Sequence, residues 1–527
     1  MRTILEWLEH NAACLPDHTA VEDADSSLNW RELQKQAEEG GAFLSSYVEW
    51  NKPVVLIWQK NCRAVVWLYS ILYSGGFYVC IDPEQPLERM RKILHRLHDP
   101  VVIAEEAAGR RLADSGYAGR ILTDMSAAQP SSDTGRFTPD MSVRQSSSGT
   151  GKCTPGGAAA SDAQNRTALS DAPGSARPAD LLYSVFTSGS TGEPKGIAVS
   201  QASAAAFIRH FAEVTGISEK DSIGSQAPFD FDVSVKDLFT SCLTGARLVL
   251  IPRTLFAVPG ELVDYLAEKK ITVLIWAVSA LCMISSFGGF DYRIPGDIRL
   301  VMFSGEIMPV RQLRIWQKAL PEAEFINLYG PSEITCNCTY YRVPRDFQGD
   351  ELPIGIAFPG RKVFLLDQSM QEIRTPGRKG QICVGGESLS EGYYGDREAT
   401  ERTFIFLNRE RICLTGDMGY FGEDGLLYFA GRQDDEIKHM GHRISLGEVE
   451  HAMGEVSGVK RACCLYDRGR SRIIGFYIGD VDKKALRCGL KELLPTYMIP
   501  NRLVQKSSFP MSEHGKTDRK KLMEELV

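Results

Sequence analysis

The feature that most restricts the fold is an alternation. From Pro53 to about Leu122, apolar runs of strand length exchange with helix-like stretches. PVVLIW and FYVCID read as strands, CRAVVWLYSILYSG as the helix between them, and DPVVIAEEAAGRRLADSG as a strand followed by a helix. This predicts βαβ units, hence a parallel sheet covered by helices. The pattern resumes at ADLLYSVFTSG and continues through GARLVLIP, ITVLIWAV, IRLVMFSG and AEFINLYG. Each run ends in small or polar turn residues. In open α/β sheets ligands gather at the carboxyl ends of strands, so a site is expected at these turns.

After Pro353 the pattern changes to short strands and turns, RKVFLLD, GQICVGG and RICLTGDMGYFGEDGLLYFAGR, which predict a small antiparallel region. From Asp434 onward, mixed strand and helix patterns predict a separate α+β domain. The expected class is therefore α/β: residues 1–433 form a large domain of parallel and mixed sheets covered by helices, and residues 434–527 a small C-terminal domain. A length of 527 residues is compatible with that division.

Residues 126–178 stand apart. Ser, Ala, Gly, Thr, Pro and Asp dominate them and large apolar residues are almost absent, so they cannot bury enough surface to offset the entropy of ordering. They are expected to be a disordered insertion. Deleting Ser131–Ala176 should leave catalysis nearly intact; a large loss of activity in a still-folded deletion variant would show that the segment has a role.

Sixty Lys and Arg against 67 Asp and Glu give a formal net charge of -7, which argues against nucleic acid as the main ligand. No run of about 18 apolar residues predicts a membrane span. The start, MRTILEWLEHNAACLPD, reads as an amphipathic helix and not as a signal peptide. Thirteen cysteines contain no CxxC pair, consistent with reduced thiols and an expected cytoplasmic location.

The chemistry begins at Phe186-Thr187-Ser188-Gly189-Ser190-Thr191-Gly192-Glu193-Pro194-Lys195-Gly196, which follows an apolar strand. Its glycines let backbone N–H groups approach a polyphosphate, its hydroxyls can donate to phosphate oxygens, and Lys195 adds positive charge. It is not a G-x-x-x-x-G-K-[ST] loop, because the lysine stands in Pro-Lys-Gly.

That fixed order, followed along the chain by SGGFYVCIDPEQP, FDFDVSVKDLF, NLYGPSE, GQICVGGESLSEGYYG, LTGDMGYFGEDGLLYFAGRQDDEIKHMGHRISLGEVE, LPTYMIP and HGKTDRKKL, resembles the adenylate-forming superfamily. The resemblance is to amino-acid adenylation domains of nonribosomal peptide synthetases and to D-alanyl carrier protein ligases, and it covers nearly the whole chain outside the insertion. It implies two steps. A carboxylate attacks the α-phosphate of ATP to give an acyl-adenylate and pyrophosphate, and a phosphopantetheine thiol on a separate carrier protein then takes the acyl group. The first step concentrates charge on phosphoryl oxygens, so cations and donors must be placed for the transition state.

By the same resemblance, Lys516 is the catalytic lysine and Glu333 the glutamate associated with Mg²⁺. A single carboxylate suffices for an ion that also takes phosphate and water. Asp417 matches the ribose-binding aspartate, Arg432 a nucleotide contact at the domain boundary, and Gly305, Glu306, Asn327, Tyr329, Gly330 and Ser332 the surroundings of the nucleotide. Asp434 matches the hinge about which a mobile C-terminal domain would rotate after adenylation, so that Lys516 leaves and the Lys438–Arg443 loop faces the site. Two departures are Ser332, where the family usually has Thr, and Ser445, where it usually has Glu.

Asp232 matches the aspartate that pairs with the α-ammonium of an amino acid, which a simple acid–CoA ligase would not need. The other pocket positions implied are Val233, Lys236, Ile275 (with Trp276 adjacent in an alignment uncertain by one residue), Met302, Ser304, Leu328, Cys336 and Asn337. The set is similar to pockets for serine or another small polar or neutral amino acid. Lys236 departs from it, since an aromatic residue is common there. Its ammonium could pair with an Asp or Glu side chain, or its stem could carry the charge out to solvent.

Overall fold

The computed structural model describes residues 3–123, 180–187, 193–432, 436–467, 469–510 and 517–525. Two large sheets form its centre. In the seven-stranded sheet, Phe77–Ile81, Pro53–Ile57, Val101–Ala104 and Ile121–Leu122 run parallel. The hairpin Leu181–Thr187 and Lys195–Ser200 extends it, followed by Gly392–Tyr393. The nine-stranded sheet has a parallel centre, ordered Glu324–Tyr329, Leu300–Ser304, Val273–Ala277, Ser222–Ser225, Arg247–Leu250 and Thr19–Glu22. Its margins are antiparallel, with Thr339–Val343 and Ile356–Ala357 on one side and Ser27–Asn29 on the other.

The apolar strands follow from position. Val54–Ile57, Val273–Trp276 and Leu300–Phe303 are buried along their length, as expected of parallel strands covered on both faces. Alternate side chains enter different cores: Ile275, Met302 and Leu328 join one cluster, whereas Leu274, Trp276, Val301 and Phe303 join another. Local chemistry sets the helix ends. Thr3 with Glu6, and Asn29 with Glu32, form capping boxes at Ile4–Cys14 and Trp30–Leu44. Gly245, at φ +78°, closes the helix Ser234–Thr244 in the left-handed conformation that suits glycine.

The region after Pro353 forms the expected antiparallel sheet, six strands between Arg361 and Arg432. The C-terminal part is α+β. The hairpin Glu436–His439/His442–Ser445 leads into a helix, Leu446–Glu455, and a three-stranded sheet, Val459–Asp467, Arg472–Gly479 and Arg502–Gln505, carries a further helix, Lys483–Leu493. This part has apolar clusters of its own, one around Ile444, Val449, Met453, Tyr477, Leu486 and Leu490. The described cysteines are free, and most are buried. Among the described residues no helix is long and apolar enough to cross a membrane.

Candidate active site

The site lies where the parallel strands of the larger sheet end and where the C-terminal hairpin packs over them. Strand register aligns Ile275 with Met302 and Ala277 with Ser304, while Met302 lies beside Ile326 and Phe303 beside Asn327. Gly305 follows at φ +92°, and a Cβ there would stand 3.7 Å from the Cα of Gly441 in the hairpin. Glu306 accepts the Gly441 N–H at 3.1 Å. Gly330 needs its lack of a side chain for another reason: a Cβ would collide with the Cys336 carbonyl and the Asn337 Cα at 2.6 Å.

Asp232 occupies the turn before Ser234–Thr244 and is buried. Burial raises its carboxyl above the usual aspartate value, opposed by the Ser332 hydroxyl and by the Lys236 and Lys438 ammonium groups. Val233 begins the helix, and Cys336 donates its thiol to the Asp232 carbonyl at 3.2 Å. Of the two readings of Lys236, exposure to solvent is overturned. The side chain is fully buried and its Nζ donates to Asn337 Oδ1 at 2.8 Å and Ser304 Oγ at 3.4 Å. The helix leaves it no short route outward, since Lys236 emerges on the face packed into the core.

The turn that delivers Asn337 is held by a residue that the sequence reading did not single out. Thr335 and Cys336 adopt φ +57° and +67°, a conformation costing roughly 1–2 kcal/mol per non-glycine residue. Arg361 donates to the carbonyls of Thr335 and Asn337 and stacks on Phe207, so the strained turn is tied from below. No local pattern marks Arg361; it follows an ordinary Pro-Gly turn.

Glu333 is buried in a short 3₁₀ turn, and both of its oxygens are engaged. Arg443 Nη1, from the C-terminal hairpin, lies 2.8 and 2.9 Å from them, and Tyr393 donates its hydroxyl at 2.7 Å. Burial disfavours the carboxylate, but Arg443 and Tyr393 outweigh it and hold the group below its ordinary pKa. Lys195 pairs with Thr187 across the hairpin and sets its ammonium 5.6 Å from the Tyr393 ring. Tyr393, also absent from the expected set, thus connects loop and carboxylate; its signal was the GYYG motif.

Asp417 is fully buried. Tyr329 donates to one oxygen at 2.6 Å, and Arg432, opposite it in the register, to the other at 2.5 Å. Lys438 lies 5.6 Å over the Tyr329 ring. Burial lowers the pKa of this ammonium, and Asp417 is the strongest group opposing that. Asn327, expected in the surroundings of the nucleotide, donates to the Pro353 carbonyl at 2.9 Å. Lys438, Arg443 and Arg432 therefore meet Glu333, Asp417, Asp232 and Glu436 in one network of opposed charges. Ser188, Gly189, Ser190, Thr191, Gly192, Asp434, Lys516 and the 126–178 insertion lie outside the described residues. No group of three or more His, Cys, Asp or Glu side chains able to hold a metal occurs among those described.

A family model described as AMP-binding enzyme matches residues 8–394. The D-alanine--D-alanyl carrier protein ligase of Listeria monocytogenes serotype 4b (strain F2365) is 28% identical over 545 residues, covering 99% of both chains. Surfactin synthase subunit 1 of Bacillus subtilis (strain 168) is 28% identical over 99% of this chain, which spans 14% of that protein. The fold resembles holo-PA1221, an NRPS protein containing adenylation and PCP domains, with a TM-score of 0.79 over 99% of this chain and 84% of that one at 23% identity. It resembles o-succinylbenzoate CoA synthetase from Bacillus subtilis at 0.80, over 98% of each chain and 18% identity. At such identities these two likenesses concern the fold alone.

Proposed function

We propose, on the premise that the chain belongs to the AMP-binding enzyme family, that it activates an α-amino acid with ATP and transfers the aminoacyl group to the phosphopantetheine thiol of a separate carrier protein. The observation that carries the amino-acid half is the buried Asp232 carboxylate, which lies in one site with Lys236, Lys438 and Glu333. An α-ammonium would find its counter-ion there, whereas a simple fatty or aryl acid would leave the carboxylate without a ligand charge. The side chain accepted is small and polar, as in serine, because Lys236, Ser304 and Asn337 close the pocket. D-Alanine is the second reading, favoured by full-length similarity to D-alanine--D-alanyl carrier protein ligase.

The chemistry is divided between two sets of residues. The loop from Thr187 to Lys195 would bind phosphates, Asp417 and Arg432 would orient the ribose, and Asp232 would hold the ammonium. Glu333 is the residue that would hold Mg²⁺, and a bound magnesium ion neutralises charge on phosphate oxygens. With the hairpin in its present position, Arg443 is the cation at Glu333. This arrangement supports the reading of residues 434–527 as a mobile domain that alternates between a thiol-transfer position, to which the docked hairpin would belong, and another to which Lys516 would belong.

Amino-acid-dependent ATP–pyrophosphate exchange tests the reading. One strong responder among the common amino acids and both alanine enantiomers is expected; exchange driven only by fatty or aryl acids would revive acid–CoA ligation. Gly441→Val tests the hairpin. Its φ is +81° and an added Cβ would lie 3.1 Å from the Ala277 Cβ. A left-handed non-glycine residue costs roughly 1–2 kcal/mol, so docking and thiol transfer should fall about tenfold or more, with exchange nearly unchanged. Equal loss of both half-reactions would count against a separate transfer position.

A further inference from the structure

Besides the pairs at the cleft, one ion pair among the described residues joins the N-terminal part of the chain to the C-terminal part: Arg89 with Glu448. The two side chains are 6% and 5% exposed, and Arg89 Nη1 donates to Glu448 Oε1. Two helices bring them together. In Leu87–Arg96, Met90, Ile93 and Leu94 enter the core against the seven-stranded sheet, and Arg89 emerges on another side. In Leu446–Glu455, Val449, Ala452 and Met453 fill the C-terminal core, and Glu450 accepts from Arg519 at 2.9 Å. Glu448 faces the N-terminal helix. The helix Lys483–Leu493 also packs on Leu87–Arg96, which seals the pair from water.

The pair is a single hydrogen bond. Arg89 Nε and Glu448 Oε2 are buried without hydrogen-bond partners. The charged neighbours are engaged elsewhere. Around the small cavity beside the pair, Lys92 pairs with Glu193 at 3.3 Å, His451 pairs with Glu455 at 3.4 Å, and Glu88 is exposed. Asp230, the nearest other carboxylate that Arg89 feels, accepts from Gln85 at 2.9 Å. Two charges taken out of water for one hydrogen bond add little net stability. Stability is therefore a poor account of the pair, and its place between two parts of the chain suggests another.

A pair shared between two bodies that move is buried in one arrangement only. Apart, both groups are hydrated. Docked in register, each neutralises the other. Docked out of register, a charge is buried alone, which is the strongly unfavourable case. Such a pair rejects near misses. We propose that Arg89 and Glu448 are positioning residues for thiol transfer, admitting the C-terminal part only in the alignment that sets Arg443 at Glu333 and Gly441 at Glu306. The proposal rests on the amino-acid-activating reading with two C-terminal positions, and names the residues that select one of them. Neither residue lies among those assigned to nucleotide or amino acid, so they act through the hairpin.

The experiment follows both half-reactions on the full chain. One is ATP–pyrophosphate exchange with the amino acid that responds best. The other is single-turnover transfer from the enzyme-bound aminoacyl-adenylate to 4′-phosphopantetheine. Arg89→Met and Glu448→Met are each expected to slow transfer roughly 10²-fold, with exchange nearly unchanged. The double variant buries no charge and should recover transfer to within about tenfold of wild type. Thermal melts verify the fold. If a single Met variant does not fold, Glu448→Gln, which keeps the shape and leaves Arg89 alone, decides by the same ratio. Wild-type transfer in the single variants, equal loss of both half-reactions, or no recovery in the double variant would overturn the proposal and leave amino-acid activation standing. Wild-type exchange without transfer would remove the docked hairpin from thiol transfer, and the proposal with it. Absence of both reactions in folded wild-type protein would overturn the proposed function as well.

Discussion

Asp232→Ala is expected to abolish amino-acid-dependent exchange in practice, while nucleotide affinity changes little. Truncating one member of a buried charge pair costs about 2–5 kcal/mol, which is roughly 30- to 5,000-fold in kcat/KM. The loss should be large here because Asp232 is buried, while its neighbour Asp230 is held by Gln85 at 2.9 Å. Asp232→Asn keeps the shape and removes the charge, so it separates lost electrostatics from lost packing. The measurement is exchange kinetics beside a binding titration with a non-hydrolysable ATP analogue. A near-wild-type rate in either variant would remove Asp232 from substrate binding and with it the main argument for an amino-acid substrate. Simultaneous loss of nucleotide binding would point to general disruption of the cleft.

Lys516→Ala should separate the two half-reactions. Adenylation is expected to fall by roughly 10²–10³, the cost of removing one preorganised transition-state contact. Transfer from a supplied aminoacyl-adenylate to a carrier thiol should continue at close to its normal rate. The expectation of selectivity comes from the cleft, where Lys438 and Arg443 already supply cations when the hairpin is docked. Gly441→Val is the converse case, slowing transfer and sparing exchange. If Lys516→Ala leaves exchange unchanged, Lys516 has no part in adenylation. If it slows both steps alike, the alternation of two C-terminal positions is the idea that fails.

The architecture and the placing of the motifs were legible in the residues. Strand-length apolar runs such as PVVLI and LVMFS could be satisfied only by burial on both faces, which means a parallel sheet under helices. Their polar turns had to come together at the strand ends, and Ser304 and Glu333 do lie there beside Asp232. The smaller C-terminal α+β part was legible for the same reason, a change of pattern after Asp434. The family followed from motif order alone, because eight ordered segments constrain a chain far more than any one.

Partnership was not legible. Glu333 and Arg443 are 110 residues apart and Tyr393 is 60 from Glu333, yet the three form one hydrogen-bonded group. Arg361 lies 26 residues from the Thr335 carbonyl it restrains. Periodicity tells which face a side chain takes but not what it meets there. The direction of Lys236 shows the limit most plainly, for the same residue is compatible in sequence with a solvated charge or a buried one. Hydrophobic pattern and turn chemistry, both local, determined the sheets and the cleft, and the order of the motifs determined the family. Only tertiary packing decided that Lys236 points inward and that Arg443 is the cation at Glu333, because the energy of a buried charge depends on neighbours brought together by the fold.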